Sequence, residues 1–230
     1  MYFCAKQFQM NTLGKISLFK TTVEEVKEIS KDVFVLSFLR TEEFIPGQML
    51  ALALKPDNQP RLYSIASGKE DEQYQILFNI QHQGYLTPRL SKVKVGDELF
   101  ISKPFGSFYG SLEADWWIAA GTGMAPFLSM LKSGMAEKKT LIHGGRDKAS
   151  FYFSDVFKNI LKEKYIPCSS FEKTDDYFQG RITSFLKKTK ELSRERNYFV
   201  CGSSEFVVDV RDILIQRGIP YQQIIAEIYF

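Results

Sequence analysis

The stretch 116-WWIAAGTGMAPFLSML-131 begins as a strand and ends as a helix. Its first five residues form a short apolar run with two aromatic side chains, which suits a buried strand. Gly121 and Gly123 punctuate the run, and Pro126 stands in the first turn of the helical segment, where its missing N–H leaves no hydrogen bond unmade. Helical periodicity then holds over about 124–136. The stretch is too short, and too interrupted by Gly, Thr, Pro and Ser, to span a bilayer.

Toward the carboxyl terminus the same alternation repeats. Apolar strands are expected at 140-TLIH-143, 166-IPCSS-170, 197-NYFVC-201 and 223-QIIAEIYF-230, with helices near 150–164, 181–190 and 205–217. Ser204 reads as the cap of the last helix, and Gly218 with Pro220 as its stop. Strands alternating with helices imply a parallel sheet covered on both faces, which binds ligands at the carboxyl ends of its strands. Toward the amino terminus the pattern changes to short segments, 33-VFVLSFL-39, 48-QMLALAL-54, 61-RLYSIAS-67, 74-YQILFNI-80 and 98-ELFIS-102, separated by the turn signals 45-IPG-47, 55-KPDN-58, Gly68 and 95-VGD-97. Short strands at this spacing predict an antiparallel sandwich or barrel. The two patterns join around 104-PFGSFYGSLEAD-115, giving an all-β domain over 1–110 and an α/β domain over 111–230.

Bulk composition narrows the function classes. The chain has 230 residues, 44% hydrophobic and 25% charged, with a formal net charge of +3. Residues 1–110 carry 13 basic and 12 acidic side chains and residues 111–230 carry 17 and 15, so neither half is a polyanion binder and nothing resembles a basic arm for nucleic acid. Three cysteines (Cys4, Cys168, Cys201) and two histidines (His82, His143) form no metal-binding spacing, which argues against a zinc site or an iron–sulfur cluster. Sparse unpaired thiols and the lack of a secretory pattern predict a cytoplasmic protein acting off the membrane.

Three turns have the makings of phosphate sites. In 84-GYLTPRL-90, Thr87 followed by Pro88 reads as a helix cap and first helical residue, aiming free N–H groups at an anion, with Gly84 allowing close approach; an ordinary capped surface helix has the same sequence. In 121-GTGMAP-126 a strand ends in two glycines before a helix, without the third glycine of the usual dinucleotide fingerprint; a plain tight turn reads alike. In 201-CGSSEF-206, Cys201 falls at the sheet's carboxyl edge, although most lone cysteines are small buried hydrophobes. In 61-RLYSIAS-67, strand alternation puts Arg61 and Tyr63 on one face and Leu62 and Ser64 on the other, so a fixed cation and a flat ring lie side by side.

Taken in order, RLYS, GYLT, KPFG, GTGMAP, CGSS and the terminal AEIYF closely resemble the ferredoxin–NADP reductase family, over residues 16–230. The resemblance implies an antiparallel flavin-binding barrel followed by a parallel nicotinamide-binding sheet, and an enzyme that passes electrons between NAD(P)H and a one-electron carrier, ferredoxin or flavodoxin, through FAD. On this resemblance Arg61 pairs with the FAD pyrophosphate, Tyr63 stacks on the isoalloxazine and Ser64 hydrogen-bonds near N5, which requires a local bend. Leu62, Ile65 and Ser67 complete the flavin wall, and Gly84, Tyr85, Leu86 and Thr87 cradle the pyrophosphate. Gly121, Thr122, Gly123 and Pro126 hold the nicotinamide dinucleotide. Cys201 and Gly202 line the place where nicotinamide meets flavin, with Glu227 beside the reacting rings and Tyr229 or Phe230 covering the flavin. The implied catalytic set is Tyr63, Ser64, Cys201 and Glu227, with no metal and a monomeric chain.

Coenzyme choice rests on two loops. Arg146, Lys148 and Ser150 in the first, with Lys173 in the second, favour NADPH. Glu172 stands about where bacterial NADP enzymes of the family carry arginine, so it is expected to repel a 2′-phosphate or instead to accept a ribose hydroxyl, and Glu172→Arg is expected to sharpen preference for NADPH. Arg181 is either a further phosphate contact or a helix-start surface residue. Two other enzymes fit the same motifs: an NAD(P)H:flavin reductase using free flavin, and an NADH-dependent reductase component of an oxygenase. A non-catalytic flavin-binding subunit would be expected to lack the glycine loop, Cys201 or Glu227.

Overall fold

The computed structural model describes residues 16–229. They fall into two compact units that divide between Ser107 and Phe108.

The first unit is a six-stranded antiparallel sheet built from β1 (Phe19–Ser30), β2 (Val33–Leu39), β3 (Met49–Ala53), β4 (Arg61–Ser64), β5 (Gln73–Asn79) and β6 (Glu98–Ile101), in the order β4-β3-β6-β1-β2-β5. The sheet curls without closing: among the described residues its two ends meet through one bridge, Ile65 to Ile76, an Ala66 N–H bond to the Gln75 carbonyl at 2.7 Å and a Gln75 N–H bond to the Ser67 hydroxyl. Tyr74, Ile76 and Phe78 alternate along β5 and pack with Leu36 and Phe38 of β2, Leu50 and Leu52 of β3, and Leu99 and Ile101 of β6 into one core. The strand over 19-FKTTVEEVKEIS-30 is not among those expected from the sequence. Its apolar residues recur every third position, at Val23, Val26 and Ile29, and register shifts beside Val23 and Glu28 disturb the alternation that would have revealed a strand.

The turn 81–87 leads into a single helical turn, α1 (Thr87–Leu90). Thr87 is not its cap. The position before the helix is Leu86, and the Thr87 hydroxyl accepts the Gln81 N–H instead, at 2.8 Å.

The second unit is a six-stranded, wholly parallel sheet of β7 (Trp116–Ala120), β8 (Thr140–Gly145), β9 (Tyr165–Ser169), β10 (Phe178–Gln179), β11 (Tyr198–Ser203) and β12 (Ile224–Tyr229), ordered β10-β9-β8-β7-β11-β12. The helices are α2 (Ala125–Lys132), α3 (Ser154–Leu161), α4 (Ile182–Lys188) and α5 (Ser204–Gln216). The chain works outward from β7 to β10, then crosses back to lay β11 on the other side of β7. That reversal puts the sheet's switch point at the carboxyl ends of β7 and β11, where open α/β sheets bind ligands. The cap of α5 is Ser203 rather than Ser204; its hydroxyl accepts the Phe206 N–H at 3.4 Å. Gly218, at φ +82°, ends the helix as expected.

Candidate functional site

Residues of the first unit

β4 lies against β3 with Arg61 opposite Leu52 and Tyr63 opposite Leu50, so Arg61 and Tyr63 share a face. Tyr63 rests on the core, its ring edge-on to Phe78 with centroids 6.5 Å apart. Burial pushes its phenol well above the ordinary range, opposed by the Arg61 charge, so the ring is neutral at physiological pH. Arg61 is exposed and has no carboxylate partner among the described residues. Ser64 is buried where the regular strand ends and the chain leaves β3 for β5. Leu62 is half-buried on the opposite face from Tyr63.

Ile65 and Ser67 are fully buried, Ile65 in the core and Ser67 accepting the Gln75 N–H at 3.2 Å. Both therefore lie beneath the surface of this unit rather than on it. In the turn 81–87, the Gly84 N–H bonds the Gln81 carbonyl at 2.7 Å, and a Cβ on Gly84 would stand 3.0 Å from that oxygen, so a side chain there would crowd the turn. Leu86 points into the core and anchors the turn. Tyr85 is exposed, and Arg89, given no role when 84-GYLTPRL-90 is read as sequence, stacks on its ring at 4.1 Å and donates to its carbonyl at 2.7 Å.

Residues of the second unit

The glycines of 121-GTG-123 serve different ends. Gly121 has φ +58°, and a Cβ there would meet nothing within 4 Å. Gly123 lies on the backbone of β11: a Cβ would stand 2.3 Å from the Cys201 carbonyl oxygen and 2.9 Å from Gly202 Cα. The turn is therefore pressed onto the switch point with open ground above Gly121, a cradle suited to a dinucleotide backbone. Pro126 is buried and shapes the start of α2.

Cys201 and Glu227 face each other across β11 and β12, with the thiol donating to Glu227 Oε1 at 3.9 Å. Both are buried. Burial first, and the Glu227 charge second, push the Cys201 thiol well above its usual range, against a hydrogen bond from Tyr229. Cys201 is thus a neutral donor rather than a nucleophilic thiolate. Phe230 and Cys4 lie outside the described residues.

At the carboxyl ends of β8 and β9 an open cleft of about 610 Å³ is lined by Arg146, Ser170, Phe171, Gly180, Arg181 and Ser184. Neither guanidinium has a carboxylate partner among the described residues, and Arg146 lies over the Phe171 ring at 5.5 Å. Lys148 and Lys173 are exposed but do not line the cleft. Nor does Glu172, whose carboxylate accepts the Lys148 backbone N–H. No sequence pattern singles out Ser170, Phe171 and Ser184: Ser170 and Phe171 follow β9, which pairs with β8, while Ser184 reaches the cleft from the first turn of α4.

Likeness to known proteins

Two family models cover most of the chain: an oxidoreductase FAD-binding domain over residues 20–109 and an oxidoreductase NAD-binding domain over 117–212. Together with the two sheets, they define a flavin- and nicotinamide-dependent oxidoreductase. A ferredoxin–NADP reductase of Azotobacter vinelandii is 30% identical over 76% of this chain and 80% of its own length. A flavodoxin/ferredoxin–NADP reductase of Rhodobacter capsulatus is 28% identical over 86% of each chain. A crystal structure of a ferredoxin NADP+ reductase from Neisseria gonorrhoeae with bound FAD and NADP shares the fold at a TM-score of 0.83 and 21% identity, covering 93% of this chain and 99% of that one. The chain belongs to the ferredoxin–NADP reductase family. Among the described residues no helix is long and apolar enough to cross a membrane.

Proposed function

We propose that this enzyme passes electrons between NADPH and a one-electron carrier protein of the ferredoxin or flavodoxin type. The observation that carries the coenzyme preference is the cleft beside β8 and β9, where two guanidiniums with no carboxylate partner among the described residues, Arg146 and Arg181, stand with two serine hydroxyls. A 2′-phosphate matches that donor set, and the Phe171 ring, 70% exposed, offers a face to adenine. NADH would leave both cations without an anion. The carrier is supported by the relatives' names.

Bound FAD supplies the conversion of two-electron into one-electron transfer that a nicotinamide cannot perform. The chain's part is binding and orientation. Arg61 and the turn 84–87 hold the pyrophosphate, Tyr63 gives the flavin a neutral aromatic platform, and Ser64 supplies a hydroxyl at the strand end. Gly121 to Gly123 admit the coenzyme backbone, while Cys201 and Glu227 present a thiol and a carboxyl at the sheet edge where nicotinamide arrives. Fixing two reactants in one geometry is the main contribution such residues make to rate.

The test begins with the visible spectrum of the purified, desalted protein, followed by anaerobic reduction with NADPH and NADH. Retained flavin at about one per chain, and kcat/KM for NADPH at least about tenfold above that for NADH, a difference of about 1.4 kcal/mol, is expected. A colourless protein that reduces added free flavin would instead identify a flavin reductase, and equal efficiency with NADH would remove the 2′-phosphate assignment.

A further inference from the structure

The loop after β8 and the loop after β9 are clasped together at one point. The Ser169 hydroxyl donates to the Arg146 carbonyl at 2.9 Å, and the Phe171 N–H reaches the same carbonyl at 3.0 Å. The Glu172 N–H donates to Ser169 Oγ at 2.9 Å, and the Glu172 carboxylate accepts the Lys148 N–H. Asp147 between them caps its own turn, accepting from the Ser150 N–H and hydroxyl. The segment bearing Arg146 is thus held from below by Ser169 and from beyond by Glu172.

We propose that Glu172 is a positioning residue for the coenzyme: its carboxylate fixes the Arg146–Lys148 backbone and so aims Arg146 into the cleft. This inference rests on the reading of that cleft as the 2′-phosphate site. Two opposed effects decide the outcome of removing the carboxylate. One is relief of repulsion toward a phosphate, which is screened over about 8–10 Å at moderate ionic strength. The other is loss of a charge-assisted bond to a backbone N–H, which frees the loop and must be regained on binding. Glu172 does not line the cleft and its carboxylate is already engaged, so the second effect dominates. Glu172→Arg, which from sequence alone should favour NADPH, weakens NADPH binding instead.

The experiment titrates the flavin-loaded enzyme with adenosine 2′,5′-bisphosphate and measures KM and kcat for NADPH with ferricyanide as acceptor. Glu172→Ala and Glu172→Arg are expected to raise the Kd of the bisphosphate and the KM for NADPH by roughly fivefold to tenfold, with kcat unchanged. Glu172→Gln keeps an oxygen acceptor for the Lys148 N–H and should restore most of the affinity. Tighter binding in both the Ala and Gln variants would show that the carboxylate acts by repulsion and overturn the proposal. Unchanged binding in all three would overturn it too. Arg146→Ala and Arg181→Ala separate the layers: if they weaken the bisphosphate while Glu172 variants do not, only the positioning role fails. If neither arginine variant changes Kd, the cleft reading fails and this inference with it.

Discussion

A methyl group tests each glycine of the turn after β7 separately. Gly121→Ala adds a Cβ in open space, so its cost is the left-handed backbone alone, about 1 kcal/mol. Gly123→Ala drives a Cβ into the Cys201 carbonyl at 2.3 Å, where neither backbone can yield cheaply, and a loss of about 3 kcal/mol or more is expected. Chemical denaturation of the two variants checks the ranking; equal losses would mean the turn relaxes away from β11. Sequence shows both glycines as a strand–helix turn, but not which of them needs its angle and which needs its size. That difference lies in a strand distant in sequence. A second single residue governs pH response. His143 is fully buried, its Nδ1 paired with the Tyr165 hydroxyl at 2.9 Å, and burial lowers its pKa from 6.5 to about 3. The unfolded chain therefore binds a proton that the folded chain refuses between those values. Stability is fully present above pH 6.5 and falls as pH drops toward 3, by about 2 kcal/mol between pH 7 and pH 5 from this residue alone. Urea midpoints at the two pH values should show a clearly smaller drop in His143→Gln than in the parent; an equal drop would assign the acid sensitivity elsewhere.

Elements in this chain are held at their starts as well as by their faces. Lys139, just ahead of β8, and Asp115, just ahead of β7, form a completely buried ion pair at 2.7 Å. Lys139 also donates to Ser111 Oγ at 3.3 Å and to the Glu113 carbonyl, so the ammonium is hydrogen-bonded on every side the loop offers. The Asp115 carbonyl accepts the Thr140 N–H at 3.1 Å, continuing the register of the two strands. Lys139→Met should cost about 3–5 kcal/mol by leaving a buried carboxylate unpaired, while Lys139→Met with Asp115→Leu should recover much of it. A double-mutant cycle on thermal stability measures this; a double variant as damaged as the single would show that the pair matters through its loop bonds rather than its charge. Nothing in 132-KSGMAEKK-139 distinguishes Lys139 from its exposed neighbours, and no local pattern could. β1 is hidden for a related reason. Its partners on both sides, β2 and β6, supply the context that its own charged, bulged sequence lacks. By contrast β5, β7 and β11 are plain from their apolar runs, because burial there is written in the residues themselves.

Across the whole molecule the two hydrophobic periodicities make the order of architectures legible, an antiparallel sheet before a parallel one, and the quoted turns mark the strand ends at which the proposed ligand sites lie. The basic cleft is legible only in part: Arg146 stands out beside a strand end, while Phe171 and Ser184 join it only once the loop after β9 and the start of α4 are assembled. Two ligand-binding units on one chain also make stability depend on ligand concentration, because a ligand bound only by the folded state stabilises it by mass action. FAD at about one hundred times its Kd should stabilise the first unit by about 2.7 kcal/mol. FMN lacks the pyrophosphate that Arg61 and the turn 84–87 are proposed to hold, so on that proposal its effect at equal concentration should be much smaller. Arg61→Ala should bring the FAD response down toward that of FMN, since among the described residues the exposed guanidinium serves no ion pair that its removal would break. NADP+ should raise the melting of the second unit and be indifferent to Arg61→Ala. Thermal melts of flavin-stripped protein with each ligand decide this. Equal shifts from FAD and FMN would mean that the ring platform at Tyr63 carries the flavin alone, and that the turn 84–87 binds no phosphate.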